Sequence, residues 1–181
     1  KIPSKTIVIQ YSGTMNKKQG FEFLAPIIKS FKDRNDILWL FGGEGPTKQE
    51  FVNSMSGITN IKFLPFQKES ELSDWLNTGD IHIIPQNEEV EDLLFPSKLL
   101  AILASGNPVV SNTSARSELG KIIQNAGFRV NPKDKIGFIN AIKILTKDKK
   151  LRISYGLKAR KIAVEYYGKD KVLERFDEFL K

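Results

Sequence analysis

Short runs of β-branched and aromatic residues alternate with segments of helical spacing along nearly the whole chain, and this alternation restricts the fold more than any other feature. Residues 6–11 (TIVIQY), 37–41 (ILWLF), 61–64 (IKFL), 80–85 (DIHIIP), 109–110 (VV) and 127–130 (GFRV) read as strands. Between the first two, Phe21, Leu24, Ile27, Ile28 and Phe31 recur at helical intervals. Residues 48–55 are a short helix, and residues 69–77 an amphipathic one with Leu72, Trp75 and Leu76 facing inward. Residues 118–126, 135–146, 147–166 and 172–180 continue the helical pattern, the third of these strongly basic. Strand and helix in strict alternation predict an α/β fold in three layers, with about six parallel strands in a doubly wound, Rossmann-like sheet. One domain over residues 1–181 is the natural reading of this length.

The most informative stretch is residues 94–112, LFPSKLLAILASGNPVVSN. Pro96 fits the first turn of a helix, where its missing N–H costs nothing. Leu99, Leu100, Ile102 and Leu103 are too densely apolar for a surface helix. Gly106 is placed as a left-handed cap and Pro108 blocks continuation. Val109 and Val110 then enter a strand covered on both faces. Such a unit aims the free N–H groups of Ser97 and Lys98, the positive helix end and the Lys98 ammonium at one point, which suits a phosphate.

Other segments fall at the carboxyl ends of the predicted strands, where α/β folds bind ligands. The loop S-G-T-M-N-K-K-Q-G (residues 12–20) lacks GxGxxG and the Walker lysine pattern, which argues against a dinucleotide or NTPase site. Gly42, Gly43 and Gly45 let backbone approach something closely. Pro65, Phe66 and Gln67 follow the third strand, and an acidic cluster at residues 88–92 precedes the central motif. His82 is the only histidine and the chain has no cysteine, so His82 is expected to pack structurally and thiol chemistry is excluded. A net charge of +7 permits nucleic acid, anionic membrane or phosphorylated ligands, but no aromatic-basic motif supports nucleic acid. No apolar run reaches the roughly 20 residues that span a bilayer. No signal peptide is visible, and the chain opens almost directly in a strand, as a domain of a longer protein would.

The YSG-to-QG loop, the GGEGP turn, PSKLLAILASGNPVV and the final helix, in that order along the chain, resemble the donor-binding half of retaining GT-B glycosyltransferases of the large family-four (group 1) type. The resemblance implies a nucleotide-sugar-binding domain, with a UDP-sugar as donor, that transfers a hexose to a glycan or lipid-linked acceptor in surface polysaccharide or glycolipid synthesis. It implies Lys17, Lys98 and Glu91 as catalytic residues, the lysines meeting the diphosphate and Glu91 the transferred sugar. It places Gly13, Lys18, Gly43, Gly45, Phe95, Pro96, Ser97 and Leu99 around the donor, with Phe66 and Gln67 reading the base. Two departures stand out: Gly13 occupies the place of a common arginine, and Ala101 that of a ribose-holding glutamate. The resemblance further implies metal-independent, front-face transfer without a cofactor, and an amino-terminal acceptor domain against which residues 169–181 pack. It implies a cytoplasmic enzyme, with peripheral association of the full-length protein at the inner face of the membrane. A UDP-sugar epimerase of the same fold and a non-catalytic α/β binding domain are the alternatives.

Overall fold

The computed structural model describes residues 2–87 and 98–179. Among these, six parallel strands form one sheet in the order β3-β2-β1-β4-β5-β6. The strands are β1 (Ile7–Ser12), β2 (Ile37–Gly42), β3 (Ile61–Leu64), β4 (Ile81–Ile84), β5 (Val109–Asn112) and β6 (Gly127–Val130). The helices are α1 (Phe21–Lys29), α2 (Lys48–Ser54), α3 (Leu72–Asn77), α4 (Lys98–Ser105), α5 (Glu118–Ala126), α6 (Lys135–Lys147), α7 (Lys149–Tyr167) and α8 (Lys169–Phe179). This is the doubly wound, Rossmann-like arrangement that the alternation predicts, and its strand order reverses between β1 and β4.

Period-two alternation divides the strand side chains between two cores. Ile9, Tyr11, Trp39, Phe41, Ile81, Ile83 and Val110 pack with α1, α2 and α6 on one face. Val8, Leu40, Ile84 and Val109 pack with α3, α4, α5 and α7 on the other. Leu99, Ile102 and Leu103 turn α4 into this second core, while Leu100 is only half-buried. Gly106 adopts φ +74° just past the end of α4, the left-handed stop that the sequence places there.

Two expectations need correction. Residues 69–77 are not one helix: Glu69–Glu71 form a 3-10 turn and α3 begins only at Leu72. Leu72 is therefore 39% exposed, whereas Trp75 and Leu76 are buried as expected. The basic helix also starts two residues later than its apolar spacing suggests. Asp148 separates α6 from α7, its carboxylate accepting from the Leu151 N–H at 2.9 Å as an N-cap.

Candidate functional site

The strand order reverses between β1 and β4, so the connections leaving those two strands diverge and open a crevice at their carboxyl ends. The connection after β1 is stitched to its neighbours by backbone hydrogen bonds. Gly13 N–H donates to Gly42 O at 2.9 Å, Met15 N–H to Glu44 O at 2.8 Å and Gly43 N–H to Leu64 O at 3.1 Å. Gly43 and Gly45 make this stitching possible. Both have positive φ, and a Cβ would stand 1.9 Å from Gly13 O at Gly43 and 2.1 Å from Met15 O at Gly45. What these glycines approach so closely is the β1 loop of the chain itself. Trp75 closes the floor, its indole N–H donating to Ser12 Oγ at 3.0 Å while its ring lies against Gly42.

Lys98, the first residue of α4, reaches back to β1 across this crevice. Its ammonium lies 4.0 Å from the centroid of the buried Tyr11 ring and donates to Gln19 Oε1 at 3.1 Å. A Cβ on Gly13 would meet Lys98 Cδ at 3.3 Å and Nζ at 3.4 Å, so the glycine leaves room for the lysine. The Tyr11 hydroxyl points away and donates to Thr14 O at 2.6 Å. Among the described residues no carboxylate reaches Lys98. Burial pushes the Lys98 ammonium down to about pH 7 for half-titration. Among the described residues this half-buried cation has only a ring and an amide for company, a setting in which an anion would be favoured.

Lys17 and Lys18 lie on the same loop but do not join this cluster. They occupy a 3-10 turn (Lys17–Gln19) capped by Asn16, whose Oδ1 accepts from the Lys18 N–H at 2.9 Å. Both side chains are exposed, and Lys17 borders a cavity of about 770 Å³ on the α1 side of the loop, together with Phe21, Gln86 and Asn112. With three residues per turn, successive side chains leave the axis about a third of a revolution apart. Gln19 is the one directed at Lys98, and sequence reasoning missed it. Its only signal was its place at the end of the turn, immediately before Gly20.

Phe66 stands 54% exposed in the loop after β3, and Gln67 folds back to donate to Pro65 O at 2.9 Å. β3 lies two strands from β1, or about 10 Å across the sheet. Leu99 is fully buried, so only its backbone faces the helix start. Ala101 is half-buried in α4. Asn112, also missed from sequence, clamps the exit of β4: its Oδ1 accepts from Gln86 N–H at 3.0 Å and its Nδ2 donates to Gln86 O at 2.8 Å. Glu91, Phe95, Pro96 and Ser97 lie outside the described residues.

A doubly wound sheet with a cationic group at its switch point belongs to the α/β class of domains that take their ligands at the carboxyl ends of the strands. Residues 6–148 match the family model of the glycosyl transferases group 1, and the chain belongs to that family. It is 32% identical over 124 residues to WcaI of Escherichia coli (strain K12), named for colanic acid biosynthesis glycosyl transfer; that match covers 68% of this chain and 30% of the relative. Among solved structures, the catalytic domain of cholesterol-α-glucosyltransferase from Helicobacter pylori superposes with a TM-score of 0.75 at 19% identity, covering 88% of this chain and 98% of that one. Anabaena Alr3699/HepE in complex with UDP-glucose gives a TM-score of 0.80 at 14% identity, covering 98% of this chain and 49% of that one. The fold is thus shared with GT-B glycosyltransferases, and the chain spans under a third of the curated relative it matches.

Proposed function

We propose that this chain is the donor-binding half of a retaining glycosyltransferase and that it holds the diphosphate of a UDP-sugar against Lys98 and the start of α4. One observation carries the reading. The Lys98 ammonium is fixed by Tyr11 and Gln19 at the switch point of the sheet and has no carboxylate partner among the described residues. Transfer of a sugar from a nucleoside diphosphate develops charge on the leaving pyrophosphate, and a preplaced cation with helix-start amides stabilises that charge. With that charge met by lysine and backbone, the reaction needs no cofactor in this proposal. Exposed Phe66, about two strand spacings away, is placed to meet the base. Lys17 and Lys18 stand outside the Lys98 cluster on the exposed side of the same loop, and in this reading they contribute only longer-range positive potential. In this reading Glu91 meets the transferred sugar.

The matched curated relative and the matched Anabaena structure are longer than this chain. This supports an acceptor-binding partner domain in the full-length protein, against which the apolar side chains of α8 would pack. Those side chains, Val172, Leu173, Phe176 and Phe179, are exposed here. The acceptor we propose is a glycan or lipid-linked sugar in cytoplasmic polysaccharide or glycolipid synthesis, a reading supported by the kinship with WcaI.

Isothermal titration of the chain with UDP-glucose tests the reading. Lys98→Ala is expected to weaken binding by roughly 10- to 100-fold, the worth of a charge-assisted hydrogen bond. Equal affinity for both proteins would remove the phosphate assignment.

A further inference from the structure

A groove of about 920 Å³ lies between α3, α4 and α7. It opens beside Asp80 and Pro108, which lead into β4 and β5, so it sits at the end of the sheet opposite the candidate site. Small residues line its base: Ala101, Ala104 and Gly106 from α4 and its cap, and Gly156 from α7. The two helices come this close because Gly156 has no side chain; a Cβ there would stand 2.0 Å from Gly106 O. The sides are aliphatic. Leu72 lines the α3 side at 39% exposure, and Ile153 and Leu157 line the α7 side at 53% and 68%.

Charge is unevenly distributed around this trough. Lys149, Arg152 and Arg160 line its α7 side, and among the described residues none of the three has a carboxylate partner. The two arginines are anchored on the ends of other helices. Arg152 donates to Leu145 O at 2.6 Å at the end of α6, and Arg160 donates to Ala104 O at the end of α4. A guanidinium has five N–H donors, so both keep donors for a further partner. Glu69 and Asp80 are the carboxylates lining the groove, and that of Asp80 is engaged by the Val8 N–H at 2.8 Å. From residue 149 to residue 160 the cationic side runs about 16 Å, three helical turns.

We propose that this groove docks an acidic amphipathic helix of a partner protein, its aliphatic face on the small-residue base and its carboxylates against the cations of α7. Charge complementarity selects this occupant, and the shape agrees with it. Small residues admit a helix at close range, and aliphatic sides take side chains spaced i, i+3, i+4 and i+7. Three cations on one side alone fix which way round the helix lies. A nucleic acid finds no aromatic ring to stack on among the described lining residues. A second copy meeting the groove through its own groove would set one hollow against another. Because the groove and the donor crevice lie at opposite ends of the sheet, docking leaves the crevice open.

Fluorescence anisotropy of the 181-residue chain with labelled peptides of about 15 residues tests this. One peptide carries leucine at i, i+3, i+4 and i+7 spacing with glutamate elsewhere. A second keeps the leucines and has lysine elsewhere, and a third scrambles the first. The first is expected to bind roughly tenfold or more tightly than the other two, and less tightly in added salt. Ile153→Ser/Leu157→Ser is expected to weaken that binding roughly tenfold or more. Lys149→Glu, at a first-turn position where glutamate suits a helix, is expected to weaken it roughly threefold or more. Both variants are expected to keep the fold, checked by circular dichroism, and UDP-glucose affinity. Unchanged peptide affinity in either variant would overturn the proposal. So would equal binding of the glutamate peptide and either control, or tighter binding of a single-stranded oligonucleotide than of the glutamate peptide. Concentration-dependent dimerisation abolished by Leu157→Ser would overturn it in favour of a self-interface.

Discussion

In the proposed reading the chemistry turns on Lys98, because its neighbours among the described residues hold it without neutralising it. A phosphate bound there stabilises the ammonium, so the proton affinity of Lys98 is higher in the complex than in the free protein. Free Lys98 half-titrates near pH 7, and the phosphates of a UDP-sugar keep their charge above that pH. Affinity for UDP-glucose is therefore expected to be full below about pH 7 and to fall as pH rises beyond it, with protons taken up on binding. Titration calorimetry in buffers of different ionisation enthalpy reads both effects, and Lys98→Ala is expected to abolish them. Gln19 makes a sharper test. Gln19→Glu preserves the geometry but puts a carboxylate 3.1 Å from the ammonium, which raises the pKa of Lys98 and cancels its charge. Weaker UDP-glucose binding, with the pH break displaced upward, is the expected result, and unchanged affinity would mean that Gln19 is a bystander.

Among the secondary elements, the connections after β1, β2 and β3 act as one unit. Gly13, Met15 and Gly43 hydrogen-bond across them, and the side-chain-free Gly43 and Gly45 allow the close approach. Gly43→Ala would place a methyl group within covalent-bond range of Gly13 O at φ +148°. A loss of stability of more than about 1 kcal/mol is expected in urea denaturation, together with weaker donor binding as the loop beside Lys98 shifts. The run of glycines was plain in the sequence. Its partner was not, because a close backbone approach is a property of two segments some 30 residues apart.

In the whole molecule, the two cores on either side of the sheet leave one titratable ring with nowhere to accept a proton. His82 is fully buried in β4, donating from Nε2 to Leu76 O at 3.0 Å, and burial pushes its pKa down to about 4. The unfolded chain protonates near pH 6.5 and the folded chain does not, so the unfolded state binds more protons between these values. Stability is therefore expected to be full above about pH 6.5 and to decline as pH falls toward 4. Urea midpoints measured across that window check this, and a His82→Gln variant should show a flatter profile.

Much of this architecture was legible in the chain because its causes are local. Period-two runs mark the strands, helical spacing marks the helices, and Gly106 with Pro108 marks the end of α4 whatever surrounds them. The same local reasoning placed Lys98 at a helix start at the carboxyl end of the sheet. It could not foresee that Gln19, rather than Lys17, would meet Lys98, since the direction of a side chain leaving a tight turn depends on how that turn is docked. Nor could it foresee that Leu72 would stand half-exposed, because a 3-10 turn shifted the phase of the helix behind it. Sequence by itself determined the elements and their order, through steric and solvation preferences that act within a few residues. Tertiary structure alone decided which loop side chains converge on the ammonium and which basic face is left turned toward solvent, because both depend on contacts between segments far apart in the chain.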